Sequence, residues 1–69
     1  MYNGWTNWDT WNANLYLTND EITYKRARIK AHHNSVLGIK NMIKEIAHID
    51  NIDVNEVNIN EIINNFNMG

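Results

Sequence analysis

The chain contains no cysteine, and that absence removes two of the usual supports of a small fold at once. No disulfide can close, and no thiolate can hold a structural metal. Its glycines, Gly4, Gly38 and Gly69, are isolated, so no glycine-rich loop cradles a phosphate. No stretch approaches the roughly 20 consecutive apolar residues that span a bilayer, and the first residues lack the charged-then-apolar run of a secretory leader. A soluble protein of the cytoplasm, with no membrane partner, is the expectation. Cations are missing from both ends of the chain: Lys25, Arg26, Arg28, Lys30, Lys40 and Lys44 all fall in the middle.

What is present begins with length. The 69 residues allow one small helical domain, 1–69. A core of that size supplies only about 3–5 kcal/mol, so an unusually efficient core, a homodimer, or both are expected. Asparagine is the compositional oddity, and isoleucine is heavily used while proline is absent. An amide-rich recognition surface is one reading of the asparagines. The plainer one is AT-rich coding, favoured because regularly spaced hydrophobics run through the asparagine-rich tail.

Helical periodicity dominates. Thr6 stands three residues before Asp9, as in a capping box, and Trp8, Trp11 and Leu15 follow at spacings of three and four, predicting a helix over about 7–17. A short strand near 14–18, which would make the fold α+β, is the competing reading of NLYLT. Thr18 and Glu21 repeat the cap spacing before a second helix. That helix carries two narrow stripes, Ile22–Ile29 and Tyr24–Ala27–Ala31, and the alanines permit close approach on one of them. Asn34 or Ser35 can cap a third helix, although one bent helix over 20–49 fits as well. Val36, Ile39, Met42, Ile43, Ile46 and Ile49 form its apolar face. Gly38 interrupts it at a cost of about 1 kcal/mol relative to alanine, which close packing against a tryptophan would explain. Asp53 with Glu56 echoes the cap spacing, and Asn58 with Glu61 opens a last helix bearing Ile59, Ile62, Ile63 and Phe66. The fold class is therefore all-α, a compact bundle of three to four short helices. Its expected core is Trp8, Trp11, Leu15, Ile22, Ile29, Val36, Ile39, Ile43, Ile46, Ile62, Ile63 and Phe66.

Trp8 and Trp11 share a stripe with Leu15, so they read as core, each hiding about 150–250 Å². Trp5 precedes the cap and reads either as a staple folded onto the helix or as an interface residue. A base-stacking platform would need cations beside the rings, and the neighbours here are Asn, Thr and Asp.

Little in the sequence points to chemistry. His32 and His33 are adjacent and have no acid or histidine at the three- or four-residue offsets a helical metal site uses. Ser35 and the threonines lie in no strand–turn–helix elbow. Neither a metal, a cofactor nor an enzymatic activity is expected. The charge pattern is more informative. Net charge is −2, but the basic middle is flanked by acids on both sides. The stretch YKRARIK, 24–30, sets four cations on two turns, which suits an acidic protein patch or a phosphate backbone. Asp50, Asp53, Glu56 and Glu61 form an acidic tail able to imitate phosphates.

The stretch YNGWTNWDTWNANLYLTNDE, 2–21, resembles the N-terminus of a family of small uncharacterised proteins from bacteriophages and other mobile elements. The shared pattern falls on Gly4, Trp5, Asn7, Thr10, Trp11, Leu15, Leu17, Asn19 and Asp20. The tail NEVNINEII, 55–63, is similar too, with Ile59 where the family has an aromatic residue and Ile63 in place of alanine. The resemblance implies an accessory protein that binds a host protein and blocks it sterically, a CRISPR or restriction nuclease of the defence system being the expected target and the bacterial cytoplasm the expected location. Trp5, Lys25, Arg26, Arg28, Lys30, Asp50, Asp53 and Glu56 are the candidate partner-binding residues. A small nucleic-acid-binding module using the helix at 24–30 is the alternative.

Overall fold

A computed structural model describes residues 2–68. The elements in chain order are α1 (Trp8–Thr18), α2 (Glu21–His32), α3 (Val36–Ile46), 3₁₀ turns at Ala47–Ile49 and Val54–Glu56, and α4 (Ile59–Met68). No strand occurs among the described residues, and 14–18 lies inside α1. The fold is an all-α bundle in which α2 packs on each of the other three helices. None of the helices is long and apolar enough to cross a membrane.

Short polar side chains start the helices, but not always the expected ones. Asn7, not Thr6, caps α1 by accepting the Thr10 N–H at 2.8 Å. Thr6 instead donates its own N–H to Glu61 Oε1 at 3.0 Å. Asp20, not Thr18, caps α2, accepting the Thr23 N–H at 3.0 Å, while the Thr18 hydroxyl turns back onto the Asn14 carbonyl inside α1. In both cases a side chain one or two residues closer to the helix reaches the free N–H groups first. Ser35 caps α3 and Asn58 caps α4, as expected.

The break between α2 and α3 is complete, which rules out a continuous bent helix. Asn34 takes a left-handed φ of 53°, the Asn34 N–H bonds to the Ala31 carbonyl and the Ser35 N–H to the Lys30 carbonyl. This pair of bonds closes the last turn in the Schellman manner, with asparagine in the position glycine usually takes. Asn51, with φ 53°, repeats the device after the first 3₁₀ turn, where the Ile52 N–H bonds to the Ala47 carbonyl.

The core differs from the expected one on two helices. Ile39, Met42, Ile43, Ile62, Ile63 and Phe66 are buried, as the strong periodicity of α3 and α4 indicates. On α1 the buried side is Thr10, Ala13 and Leu17, and the stripe Trp8–Trp11–Leu15 points outward: Trp8 is 37% and Leu15 45% exposed. Trp11 is half-buried against Tyr2, ring centroids 5.1 Å apart. On α2, Ala27 and Ala31 are sealed while Ile22 and Ile29 stand 70% and 61% exposed. Val36 is exposed too, and Ile46 only half-buried. The reason is steric. Ala27 and Ala31 on the inner face of α2, and Thr10 and Ala13 on that of α1, let the backbones come close. Bulk goes outside. Ile52 and Val57, on the connection to α4, complete the core.

Candidate protein-docking surface

The outward stripe of α1 is built from residues three and four apart, which a helix brings to one side. Trp8, Trp11 and Leu15 lie there, extended by Tyr2, whose ring meets Trp11 at a tilt of 53°. A partly exposed aromatic stripe is more informative than scattered exposed aliphatics, because large apolar side chains grouped at a surface mark contact sites.

Asp50 borders this stripe, and hydrogen bonds tie the segment that carries it to α1. Asn12, itself buried, donates to Asp50 Oδ2 at 2.6 Å. Asp50 lines a hollow of about 360 Å3 together with Trp11, Leu15 and Tyr16. Asp9 accepts the Asp53 N–H at 2.9 Å, and the Asp53 carboxylate accepts the Asn55 N–H at 3.0 Å. The Glu56 carbonyl accepts from Asn7 Nδ2 at 2.7 Å, fixing the backbone that carries the Glu56 carboxylate. The first two turns of α1 thus strap the chain from 50 to 58 against the bundle. The Asp50 and Asp53 carboxylates thereby lose much of their freedom.

The basic residues lie elsewhere. Lys25, Arg26 and Arg28 are exposed on α2, where Lys25 pairs with Glu21 one turn earlier at 3.3 Å. No ion pair engages Arg26 or Arg28 among the described residues. Arg28 and Lys25 flank Ile29 in a small hollow. Lys30 is set apart from the other three: its stem lies over Gly38, where an added Cβ would meet Lys30 Cδ at 3.1 Å and Ser35 Oγ at 2.7 Å. The close neighbour of Gly38 is therefore a lysine stem and a cap hydroxyl, not a tryptophan. Trp5 packs against the core and walls a groove beside α4. Lys25 and Arg28, three residues apart, share one side of α2 beside Ile29, whereas Arg26, two residues from Arg28, projects from a different side; Asp50 and Asp53 lie on the segment tied to α1, and Lys30 and Trp5 stand apart from both groups.

Titration sheds little light on function. Asp20 is held below its ordinary 3.8 by hydrogen bonds from the Thr23 backbone and then the Thr23 hydroxyl, a consequence of capping. Among the described residues no group of three His, Asp or Glu side chains converges as a metal site.

Asn12 is the positioning residue that sequence reasoning missed, and Asp9, read there as part of a helix cap, instead accepts the Asp53 N–H. Nothing in the spacing of Asn12 signalled its tie to Asp50, 38 residues away.

The chain belongs to a family of unknown function, DUF7249, whose family model matches residues 1–68. Neither a curated protein nor a solved structure matches it significantly.

Proposed function

We propose that this member of DUF7249 is a protein-binding module, an accessory protein of a bacteriophage or mobile element that docks on a host protein and blocks it. The target class that suits it is a defence nuclease, and the docking face is the outer side of α1. The observation that carries this reading is the hollow where Trp11, Leu15 and Asp50 meet. Aromatic and aliphatic groups that exclude water stand there beside a carboxylate whose position is fixed by Asn12.

Interface hot spots are enriched in tryptophan and tyrosine surrounded by groups that keep water out. The anchored acids add direction. A nucleic-acid groove on a nuclease is lined by cations spaced to meet phosphates, and the positioned Asp50 and Asp53, with the exposed Glu56, offer negative charge to such a groove. Affinity then comes from the rings, and orientation and encounter rate from the charges. Burying the stripe against a partner also supplies the apolar contact that so small a core lacks. Occlusion of the substrate groove requires no catalytic group.

The exposed cations of α2 support the alternative of nucleic-acid binding through Arg26 and Arg28, and one experiment separates the two. DNA cleavage by purified restriction and CRISPR effector complexes is followed with increasing amounts of the protein. Docking through α1 predicts stoichiometric inhibition of one effector, weakened by salt. It is lost in Asp50→Lys/Asp53→Lys and in Trp11→Ala, and retained in Arg26→Glu/Arg28→Glu. Direct, steeply salt-dependent DNA binding that disappears in the arginine variant would overturn the proposal.

A further inference from the structure

A groove beside the N-terminal turn shares no lining residue with the hollow at Trp11 and Asp50. The groove, of about 460 Å3, runs along α4, lined by Trp5, Asn60, Glu61, Asn64, Asn65 and Met68 among others. Four asparagines elsewhere in the bundle have side chains tied into the fold. Asn7 and Asn58 cap helices, Asn12 holds Asp50, and Asn67 donates to the Ala31 carbonyl. Hydrogen bonds within the described residues engage none of the side-chain amides of Asn60, Asn64 and Asn65, and these three line the groove.

A carboxamide donates and accepts at once, as a peptide group does. Asn60 and Asn64 are one turn apart, about 6 Å along the helix axis at 1.5 Å per residue. Two residues of an extended chain advance about 6.6 Å. Each amide therefore meets every second peptide unit of a strand lying along α4. The opposite wall is preformed. Tyr2 and Trp5 exchange backbone hydrogen bonds of 2.7 Å each way, and the Thr6 N–H is tied to Glu61 Oε1 at 3.0 Å. The indole is thus held in place before any ligand arrives, which lowers the ordering cost of binding. Charge selects the side chains. Glu61 is the one charged residue lining the groove, and no hydrogen bond among the described residues uses its Oε2.

We propose that the groove between Trp5 and α4 binds an extended, lysine- or arginine-bearing peptide segment, with Asn60 and Asn64 pairing to alternate peptide units and Glu61 receiving a cation. The segment lies against the Trp5 ring on its other edge, and Met68 adapts to the side chains that face it.

The test is a titration of the full chain with a fluorescein-labelled octapeptide of alternating lysine and valine, followed by anisotropy and by backbone amide shifts. Saturable binding with shifts concentrated in α4 and residues 4–6 is expected. Asn60→Ala/Asn64→Ala, at exposed helix positions where alanine is well tolerated, should weaken it by about tenfold or more. Asn41→Ala, outside the groove, should leave it unchanged. Glu61→Gln keeps an acceptor for Thr6 and should abolish the preference for lysine over glutamate in the peptide. No binding, equal affinity in the asparagine double variant, or equal affinity for a glutamate–valine octapeptide each overturns the proposal. So does a neutral oligosaccharide, maltohexaose, that shifts the same amides when the peptide does not. Asp50→Lys/Asp53→Lys, which disables the α1 face, should leave peptide binding intact, so the two proposals stand or fall separately.

Discussion

The Thr10 hydroxyl accepts the Asn58 N–H at 2.9 Å while donating to Asn7 Oδ1 at 2.7 Å. One fully buried side chain thereby joins the cap of α1 to the cap of α4, 48 residues away. The bond also sets the two proposed sites relative to each other. The strap from 50 to 58 carries Asp50 beside the α1 stripe, and the same Asn58 begins the helix that floors the peptide groove.

Thr10→Val keeps the shape of the side chain and removes both hydrogen bonds. Leaving partly buried polar groups without partners costs about 1–3 kcal/mol. Thr10→Ser keeps the hydroxyl and loses one methyl, worth about 0.8 kcal/mol. Urea denaturation should therefore rank valine as the more damaging substitution. Serine being the worse of the two would mean that Thr10 acts by packing and not as a tie.

Leu15 and Leu17 give the sharpest check on which face of α1 is buried. They are the same residue type, two positions apart, 45% and 0% exposed. Leu17→Ala should cost about 2–5 kcal/mol, as buried leucine truncations do. Leu15→Ala should stay within about 1 kcal/mol, as surface substitutions do. The same comparison bears on the function, because Leu15→Ala leaves the fold intact while shrinking the docking surface. Equal destabilisation by the two substitutions would put the tryptophan stripe inside the bundle.

The legibility of the sequence divides along the same line. Helix positions in α3 and α4 were readable because each has one strongly apolar face, and Ile39, Ile43, Ile62, Ile63 and Phe66 are all buried. On α1 and α2 two stripes of helical spacing compete, and hydrophobicity alone selects the wrong one. Thr10, Ala13, Ala27 and Ala31 won because closely packed helices reward small residues at the contact, a property of the neighbours that a single segment does not display. The surplus of asparagine reads compositionally as coding bias, yet Asn7, Asn34, Asn51 and Asn58 each perform a backbone task that few other residues do as well. Of the surface, the exposure of Lys25, Arg26 and Arg28 on α2 was legible from spacing. The anchoring of Asp50 by Asn12 and the pairing of Trp5 with α4 were not, because both join residues far apart in the chain.

Asp20 gives a pH signature. Its folded value lies below 3.8 because the Thr23 N–H and hydroxyl stabilise the charged form. Its contribution to stability is therefore complete above the unfolded value and is lost as pH falls through the lowered folded value. Asp20→Asn keeps a capping acceptor and removes the titration. Thermal melts of the two proteins should differ little near neutrality, and the variant should lose less stability between about pH 4 and pH 2. Parallel acid profiles would show that the cap contributes no proton linkage. Because the carboxylate is fully exposed to solvent, the effect should be small and should shrink further in salt.

Gly38 tests whether a cap and a glycine have been fitted to one another. Alanine in the middle of a helix is favoured over glycine by about 1 kcal/mol, so Gly38→Ala ought to stabilise α3. The new Cβ, however, would stand 2.7 Å from Ser35 Oγ, the atom that accepts the Gly38 N–H at 3.0 Å. The hydroxyl must swing aside, and losing a serine cap costs about 1 kcal/mol. The Lys30 stem, at 3.1 Å, is flexible and yields more cheaply. The two larger contributions nearly cancel, so Gly38→Ala should change stability by no more than about 0.5 kcal/mol. In a Ser35→Ala background the cap is already gone and the crowding with it. There the same substitution should stabilise by close to the full propensity difference, about 1 kcal/mol. The double-mutant cycle isolates the coupling between the two residues. A Gly38→Ala gain of the same size in both backgrounds would show that the cap hydroxyl and the missing Cβ do not compete for space.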